Sequence, residues 1–211
     1  TFAGQIPTIL KLNSANSLAT LKDQAVHGSI EDALRLGCLA VGFTIYPGSE
    51  YQFEMMEELK ELAIEAKSYG LAVVVWSYPR GGKLSKEGET AMDVCAYAAH
   101  MAALLGAHII KVKPPSAHIE QKEAEFSYKN VDISSLTKRI SHVMQSSFNN
   151  RRIVVFSGNA FTDMKGLLND IREIRDGGGN GSIIGRNTFQ RPREEALSML
   201  NQVIEIYKGK N

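Results

Sequence analysis

The protein has 211 residues, of which 44% are apolar and 22% are charged, and its formal net charge is +1. This composition is typical of a soluble globular domain that is long enough to bury a sizeable core. The near-zero charge gives no support for a nucleic-acid partner, and no apolar run approaches the roughly 20 residues of a membrane helix, so we predict no membrane segment.

Six apolar segments of strand length recur along the chain, separated by helical patterns. They are nearly continuous in Val, Ile and Leu, which is typical of strands buried on both faces of a parallel sheet. In chain order they are PTILKLN (7–13), LAVGFTIY (39–46), AVVVWSYPRG (72–81), HIIKVKPP (108–115), RIVVFSG (152–158) and SIIGRN (182–187).

The segments between the strands have the spacing of amphipathic helices. On the first long helix, residues 51–69, we predict an apolar stripe made of Phe53, Met56, Leu59, Ala63 and Ala66. Gly70 is positioned to end this helix, because glycine readily adopts the left-handed conformation found after a helix. Further helices are predicted over residues 89–105, 132–148, 161–174 and 193–208.

This alternation fits either an open doubly wound sheet or a (β/α)8 barrel. Polar residues at the strand ends favour the barrel, because the carboxyl ends of its strands converge on one mouth. They are Asn13, Tyr46, Tyr78, Lys111, Ser157 and Arg186. We therefore predict an α/β fold of the (β/α)8 TIM-barrel type, as a single domain over residues 1–211. Since six strands are found rather than eight, we expect the first one or two β/α units to be absent, leaving the domain incomplete at its N-terminus.

Lys111 and Lys113 lie two positions apart in GAHIIKVKPP and should share one face of a strand. A lysine in a dry interior has a lowered pKa, and its neutral amine can attack a carbonyl to form a Schiff base. The alternative is that both lysines extend past the strand end into solvent, which is commoner for this pattern alone. The positive charge of Lys113 can either lower the pKa of Lys111 or bind an anion.

Three further strand ends carry candidate site residues. Trp76 and Tyr78 share a strand face, where Tyr78 can exchange a proton with a substrate and Trp76 can form an apolar wall. The alternative is an aromatic pair that packs across the strand ends. The last two strand ends are small and polar, as in the phosphate site that follows strands seven and eight of such barrels. The candidate phosphate ligands are Ser157, Gly158, Gly185 and Arg186.

Other chemistries find no support in the sequence. The five histidines lack metal-ligand spacing, and no dinucleotide-binding glycine motif follows the first strand. We therefore predict no metal and no cofactor. Cys38 and Cys95 lie in apolar patterns and are predicted to be buried free thiols, and no signal-peptide pattern begins the sequence, so a cytoplasmic protein is expected.

Several of these motifs, in this order, resemble the archaeal-type class I fructose-bisphosphate aldolases, a metal-free Schiff-base barrel family that also occurs in bacteria. The resemblance runs over nearly the whole chain. It is carried by KDQAVHGSIEDALRLGCLAVGFTIYPGSE, VVVWSYPRGG, GAHIIKVKPP, RRIVVFSG and SIIGRNTFQRP.

The resemblance implies cleavage of fructose 1,6-bisphosphate to dihydroxyacetone phosphate and glyceraldehyde 3-phosphate. The Schiff-base lysine falls on Lys111, and the catalytic tyrosine falls on Tyr78, with Trp76 beside it in the pocket. The phosphate-binding loops of the family correspond to Ser157, Gly158, Gly185 and Arg186. Two alternatives stay open: a Schiff-base aldolase or transaldolase-type enzyme for another phosphorylated ketose, and a phosphate-binding incomplete barrel without turnover.

The N-terminal part of the sequence differs from the pattern of this family. Family members carry a catalytic Asp on the first strand, in an Asp-x-Gly context, whereas Asp23 and Asp32 fall on a predicted loop and a helix start. Six strands would also leave two open sheet edges. We expect missing sequence, a segment absent from the structure or a neighbouring chain to cover the gap, and we expect a homo-oligomer.

Overall fold

The computed structural model describes residues 4–157 and 163–210. Eight strands occur in this part of the chain: β1 (Ile9–Lys11), β2 (Asn13–Ser14), β3 (Ala25–Val26), β4 (Ala40–Ile45), β5 (Ala72–Ser77), β6 (Ile109–Val112), β7 (Ile153–Ser157) and β8 (Gly181–Ile183). The helices are α1 (Ile30–Arg35), α2 (Gln52–Ser68), α3 (Met92–Leu104), α4 (Lys122–Tyr128), α5 (Leu136–Ser146), α6 (Met164–Asp176), α7 (Arg186–Phe189) and α8 (Arg193–Tyr207), with a 3-10 turn at Gly88–Thr90.

Six of these strands form one parallel sheet in the order β1-β4-β5-β6-β7-β8. Each strand pairs with the next sheet strand along the chain, and the order never reverses. A doubly wound sheet has a point at which the strand order reverses, whereas a (β/α) barrel proceeds in one direction. The sheet is therefore an arc of a barrel, which confirms the predicted fold class, and one of its strands overlaps each of the six predicted segments.

The two faces of the sheet differ in character. One face packs beneath the helices and carries much of the apolar core. Its buried strand residues are Val41, Phe43, Ile45, Val73, Val75, Ile110, Val112, Val154 and Phe156. The opposite face places Thr44, Trp76 and Lys111 side by side, because these three residues are register partners on β4, β5 and β6. Lys111 therefore stands on the face that lies away from the helix-covered core.

The predicted stripe of α2 was partly wrong. The buried residues are Met55, Leu59, Ala63 and Ala66, whereas Phe53 is 67% exposed. At about 100° per residue, Phe53 lies about 120° around the helix from Leu59, while Met55 lies about 40° from it. Helical geometry thus favours Met55 on the buried stripe, and Gly70 follows α2 with φ +76°, as predicted.

The last predicted strand also needed correction. The segment 182–187 was expected to be a strand with Arg186 at its end, but β8 stops at Ile183 and Arg186 is the first residue of α7. The sequence analysis also did not identify the β2–β3 antiparallel pair or helix α4, since both are short and lack a clear apolar period. Cys38 and Cys95 are buried free thiols, as predicted. Among the described helices, none has the length and apolarity to cross a membrane.

Candidate active site

A cavity of about 530 Å³ opens at the carboxyl ends of β5 to β8, a size typical of small-ligand sites. Each of these strands or the loop after it contributes to the wall. The residues lining it are Tyr78, Arg80, Thr90, Lys111, Lys113, Ser157, Ile183, Ile184, Gly185, Arg186, Asn187 and Phe189. Five of the seven residues singled out from the sequence thus meet in one cavity, while Trp76 does not line it and Gly158 lies outside the described residues.

Lys111 is the partly buried amine of this cavity. Its position on β6, in register with Trp76 and Val155, holds its backbone in the middle of the parallel sheet. Burial lowers the pKa of Lys111 below the usual 10.5, because the protein interior solvates the ammonium ion less well than water does. The neutral, nucleophilic form is therefore more populated near neutral pH than in a solvent-exposed lysine.

Tyr78 follows the end of β5 and is held as a neutral phenol. Burial raises its pKa to about 12, although the positive charge of Arg80 and a side-chain hydrogen bond with Ser157 act in the opposite direction. A protonated phenol can donate its proton to a carbanion or an oxyanion and take it back later. The hydrogen bond also joins β5 to β7 across the strand that carries Lys111.

Lys113 forms an ion pair, whereas Lys111 forms none with the residues that the structure describes. Its Nζ lies 3.1 Å from an oxygen of Glu89, a residue of the 3-10 turn whose side chain is only 13% exposed. Burial alone would raise the pKa of Glu89, but hydrogen bonds from Lys86 and Lys113 bring it below its usual value. The carboxylate thus stays ionised and compensates the charge of Lys113 at the cavity wall.

The candidate phosphate-binding residues lie on the β7 and β8 side of the cavity. Ser157 ends β7, and Gly185 and Arg186 follow β8. Arg186 is exposed, and no ion pair involves it within the described part of the chain. A hydroxyl group, a glycine backbone and a guanidinium group offer suitable donors for a phosphate that enters from solvent.

Trp76 lies elsewhere on the same sheet face. Its ring covers Gly42 on the neighbouring strand, where any side chain would collide with it. The Nζ of Lys11 lies 5.6 Å from the ring centroid. The ring therefore extends towards β4 and β1 rather than into the cavity, because Gly42 leaves room on that side.

Arg80 was missed by the sequence analysis as a site residue. It lies in the cavity wall two positions after Tyr78, and the available signal was its place between a buried strand end and two glycines. Among the described residues, no group of three or more His, Cys, Asp and Glu side chains could hold a metal ion. Four basic residues, Lys111, Lys113, Arg80 and Arg186, belong to the lining, and none of the described residues that line this cavity is a carboxylate.

Comparisons with known proteins identify the relatives of this chain. A family model described as DeoC/LacD family aldolase matches residues 1–191. A class 1 fructose-bisphosphate aldolase from Thermoproteus tenax is 34% identical over 99% of this chain and 71% of its own length. A fructose-bisphosphate aldolase/6-deoxy-5-ketofructose 1-phosphate synthase from Methanocaldococcus jannaschii is 31% identical over 96% of this chain, which spans 62% of that relative.

A solved structure shows the same similarity in three dimensions. It is a Schiff-base-forming fructose-1,6-bisphosphate aldolase, studied through its reaction intermediates, and it superposes with a TM-score of 0.81 at 32% identity. The superposition covers 98% of this chain and 74% of that structure. The arc of six strands therefore corresponds to most, but not all, of a known aldolase barrel.

Proposed function

Because the chain belongs to the DeoC/LacD family of aldolases, we propose that it cleaves fructose 1,6-bisphosphate to dihydroxyacetone phosphate and glyceraldehyde 3-phosphate through a Schiff base on Lys111. The observation that carries the proposal is the cavity itself. A lysine with a lowered pKa, a protonated tyrosine and an exposed arginine line one space at the carboxyl ends of β6, β5 and β8, respectively. This combination suits a carbonyl substrate that carries phosphate.

The chemistry follows from these groups. The neutral amine of Lys111 attacks the C2 ketone, and loss of water gives an iminium ion. Water takes the proton of the C4 hydroxyl while the iminium nitrogen accepts the electron pair of the C3–C4 bond. The bond breaks, glyceraldehyde 3-phosphate leaves and an enamine remains. Tyr78 donates a proton to C3 of the enamine and regenerates the iminium, and water then frees dihydroxyacetone phosphate and the Lys111 amine.

Borohydride trapping tests this proposal. Incubation with fructose 1,6-bisphosphate and sodium borohydride should reduce the iminium to a stable secondary amine, and peptide mass spectrometry should find the adduct on Lys111. Lys111→Met should abolish the adduct and the cleavage, whereas Lys60→Met, which removes an exposed amine on α2, should change neither. Cleavage that persists in Lys111→Met, or an adduct on another lysine, would contradict the assignment.

Two alternatives have support of their own. The dual name of the Methanocaldococcus relative favours a second phosphorylated ketose, and retro-aldol rates across a panel of ketose phosphates would rank the substrates. Among the described residues that line the cavity none is a carboxylate, and this favours phosphate binding without turnover, because a side-chain base would take the C4 hydroxyl proton more readily than water does. That alternative predicts calorimetric binding of the bisphosphate with no product.

We also infer that the protein acts as a homo-oligomer in the cytoplasm. Buried free thiols such as Cys38 and Cys95 suit a reducing compartment. The outer edges of β1 and β8 have no strand partner among the described residues, and open edges are usually covered in folded proteins.

A further inference from the structure

Lys11 is a partly buried cation to which the proposed chemistry gives no role. It ends β1, where its ammonium group donates hydrogen bonds to the carbonyl oxygen of Asn13 and, at 2.6 Å, to the side-chain oxygen of the same residue. Within the described part of the chain no carboxylate forms an ion pair with it. The groups that stabilise the charge of Lys11 are therefore neutral, and one of them is an aromatic ring.

The indole ring of Trp76 is this aromatic neighbour. The Nζ of Lys11 lies 5.6 Å from the ring centroid, within the range of a cation–π interaction. A Cβ added to Gly42, the register partner of Lys11 on β4, would come within 2.5 Å of the ring atom Cζ3. The missing side chain of Gly42 thus makes room for the ring, and the ammonium group of Lys11 attracts the ring to that place.

The buried side chain of Asn13 fixes the ammonium group relative to the ring. Its amide nitrogen donates to the carbonyl of Thr44 at 2.9 Å, and its oxygen accepts from the N–H of Thr44 at 2.8 Å. Thr44 is in turn the register partner of Trp76. Lys11 is therefore attached, through Asn13, to the backbone of the strand that lies next to Trp76.

The direction of the Trp76 ring decides how much space remains beside Lys111. The two residues are register partners on adjacent strands, which lie about 4.8 Å apart, so their side chains leave the same sheet face. The ring extends towards β4 and β1, away from the cavity that Lys111 lines. Another staggered χ1 rotamer would direct the ring elsewhere on that face, including towards β6 and Lys111.

We propose that Lys11 is a positioning residue for Trp76: its ammonium group holds the indole ring over Gly42 and so keeps the space beside Lys111 open to substrate. The consequence for substrate rests on the proposed function, whereas the hold on the ring does not. Because the attraction needs a cation, Lys11 should release the ring when it loses its proton.

The pH at which Lys11 releases the ring follows from its burial. Burial lowers the pKa of Lys11 to about 8, so the attraction is present below this pH and is lost as the pH rises through it. Two other titratable side chains belong to elements packed nearby. They are Lys111 on the same sheet face and His27, whose backbone N–H donates to Leu12. Variants of Lys11 that keep both groups can therefore separate its titration from theirs.

Fluorescence of Trp76, the single tryptophan of the chain, tests the hold on the ring without any need for turnover. The emission of the wild-type protein should change in one step with a midpoint near pH 8. Lys11→Met and Lys11→Arg should both abolish the step, because neither side chain titrates in this range, and Lys11→Arg should keep the low-pH spectrum. The control, Lys60→Met, removes an exposed amine on α2 and should keep the step.

Steady-state kinetics with fructose 1,6-bisphosphate below pH 8 tests the consequence for substrate. Lys11→Met should raise KM about fivefold, the order expected when a cation–π attraction is lost, and should change kcat less than twofold. Lys11→Arg should restore KM. In a Trp76→Phe background, where no indole ring can turn towards Lys111, Lys11→Met should leave KM unchanged.

Three results would overturn the proposal: no step in the wild-type emission, a step that persists in Lys11→Arg, or the same rise in KM with and without the indole ring. The wild-type and Lys11→Arg spectra decide the matter even if Lys11→Met does not fold. If the wild-type protein shows the step but cleaves no fructose 1,6-bisphosphate, the proposed function fails, and the hold of Lys11 on Trp76 stands.

Discussion

Two partly buried lysines on the sheet illustrate what makes an amine suitable as a nucleophile. Burial lowers the pKa of Lys11 to about 8 and also lowers that of Lys111. Lys11, however, donates a 2.6 Å hydrogen bond to the Asn13 side chain and lies beside Trp76. It is not among the residues that line the cavity, whereas Lys111 is. Access to the cavity, and not the pKa alone, distinguishes the two amines.

Lys111 should react with an amine reagent at a lower pH than an exposed lysine does. Its lowered pKa means that the neutral form appears as the pH rises through a value below 10.5, so reactivity and aldolase activity should both fall as the pH drops below that pKa. Competitive acetylation across a pH series, quantified by mass spectrometry, measures this directly. Exposed Lys60 is the internal control, and identical profiles for Lys60 and Lys111 would contradict the expectation.

The loops after β4 and β5 pack closely against each other at two glycines. Gly48 and Gly82 both have positive φ, and an added Cβ on Gly82 would collide with the Gly48 carbonyl. Arg80 lies in this locked segment, and its N–H donates to Pro47. The close contact between the two loop backbones therefore positions Arg80, a residue that lines the cavity but lies in a loop rather than on a strand.

Gly82→Ala should destabilise the protein more than Gly70→Ala. Both positions have positive φ, which costs a non-glycine residue about 1–2 kcal/mol, but space around Gly70 is open whereas the Gly82 Cβ meets backbone. Since about 1 kcal/mol lowers Tm by roughly 2–4 °C in a domain of this size, Gly70→Ala should cost a few degrees and Gly82→Ala several more. Thermal unfolding followed by circular dichroism provides the comparison. Equal Tm values would show that the loop moves freely.

The open arc of the sheet gives the molecule two unlike edges. At one edge, β1 and the segments on either side of it expose apolar side chains, namely Ile6, Ile9, Leu18, Leu21 and Val26. At the other edge, β8 is short and is followed by α7 and α8. Exposed apolar surface beside a strand edge that has no partner among the described residues favours association with another chain.

Association through the β1 edge predicts a larger mass in solution. Light scattering at micromolar concentration should give a multiple of the chain mass. Leu18→Glu, at a side chain that is 89% exposed beside this edge, should shift the mass towards that of one chain. Leu104→Glu, at a 65% exposed position on α3, is the matched control and should leave the mass unchanged. A monomeric wild-type protein would refute the oligomer.

The sequence alone was enough to predict the six strands, their parallel arrangement and the place of Lys111. Continuous apolar runs and the glycines that end helices are local signals, and a period of two residues puts Lys111 and Lys113 on one face. The local pattern could not predict where side chains of different strands meet. Trp76 extends over Gly42, and Arg80 stacks on Tyr46, because the packing of neighbouring strands and loops leaves space there. Contacts between residues more than 30 positions apart depend on that packing, so only the folded arrangement reveals Arg80 as part of the site.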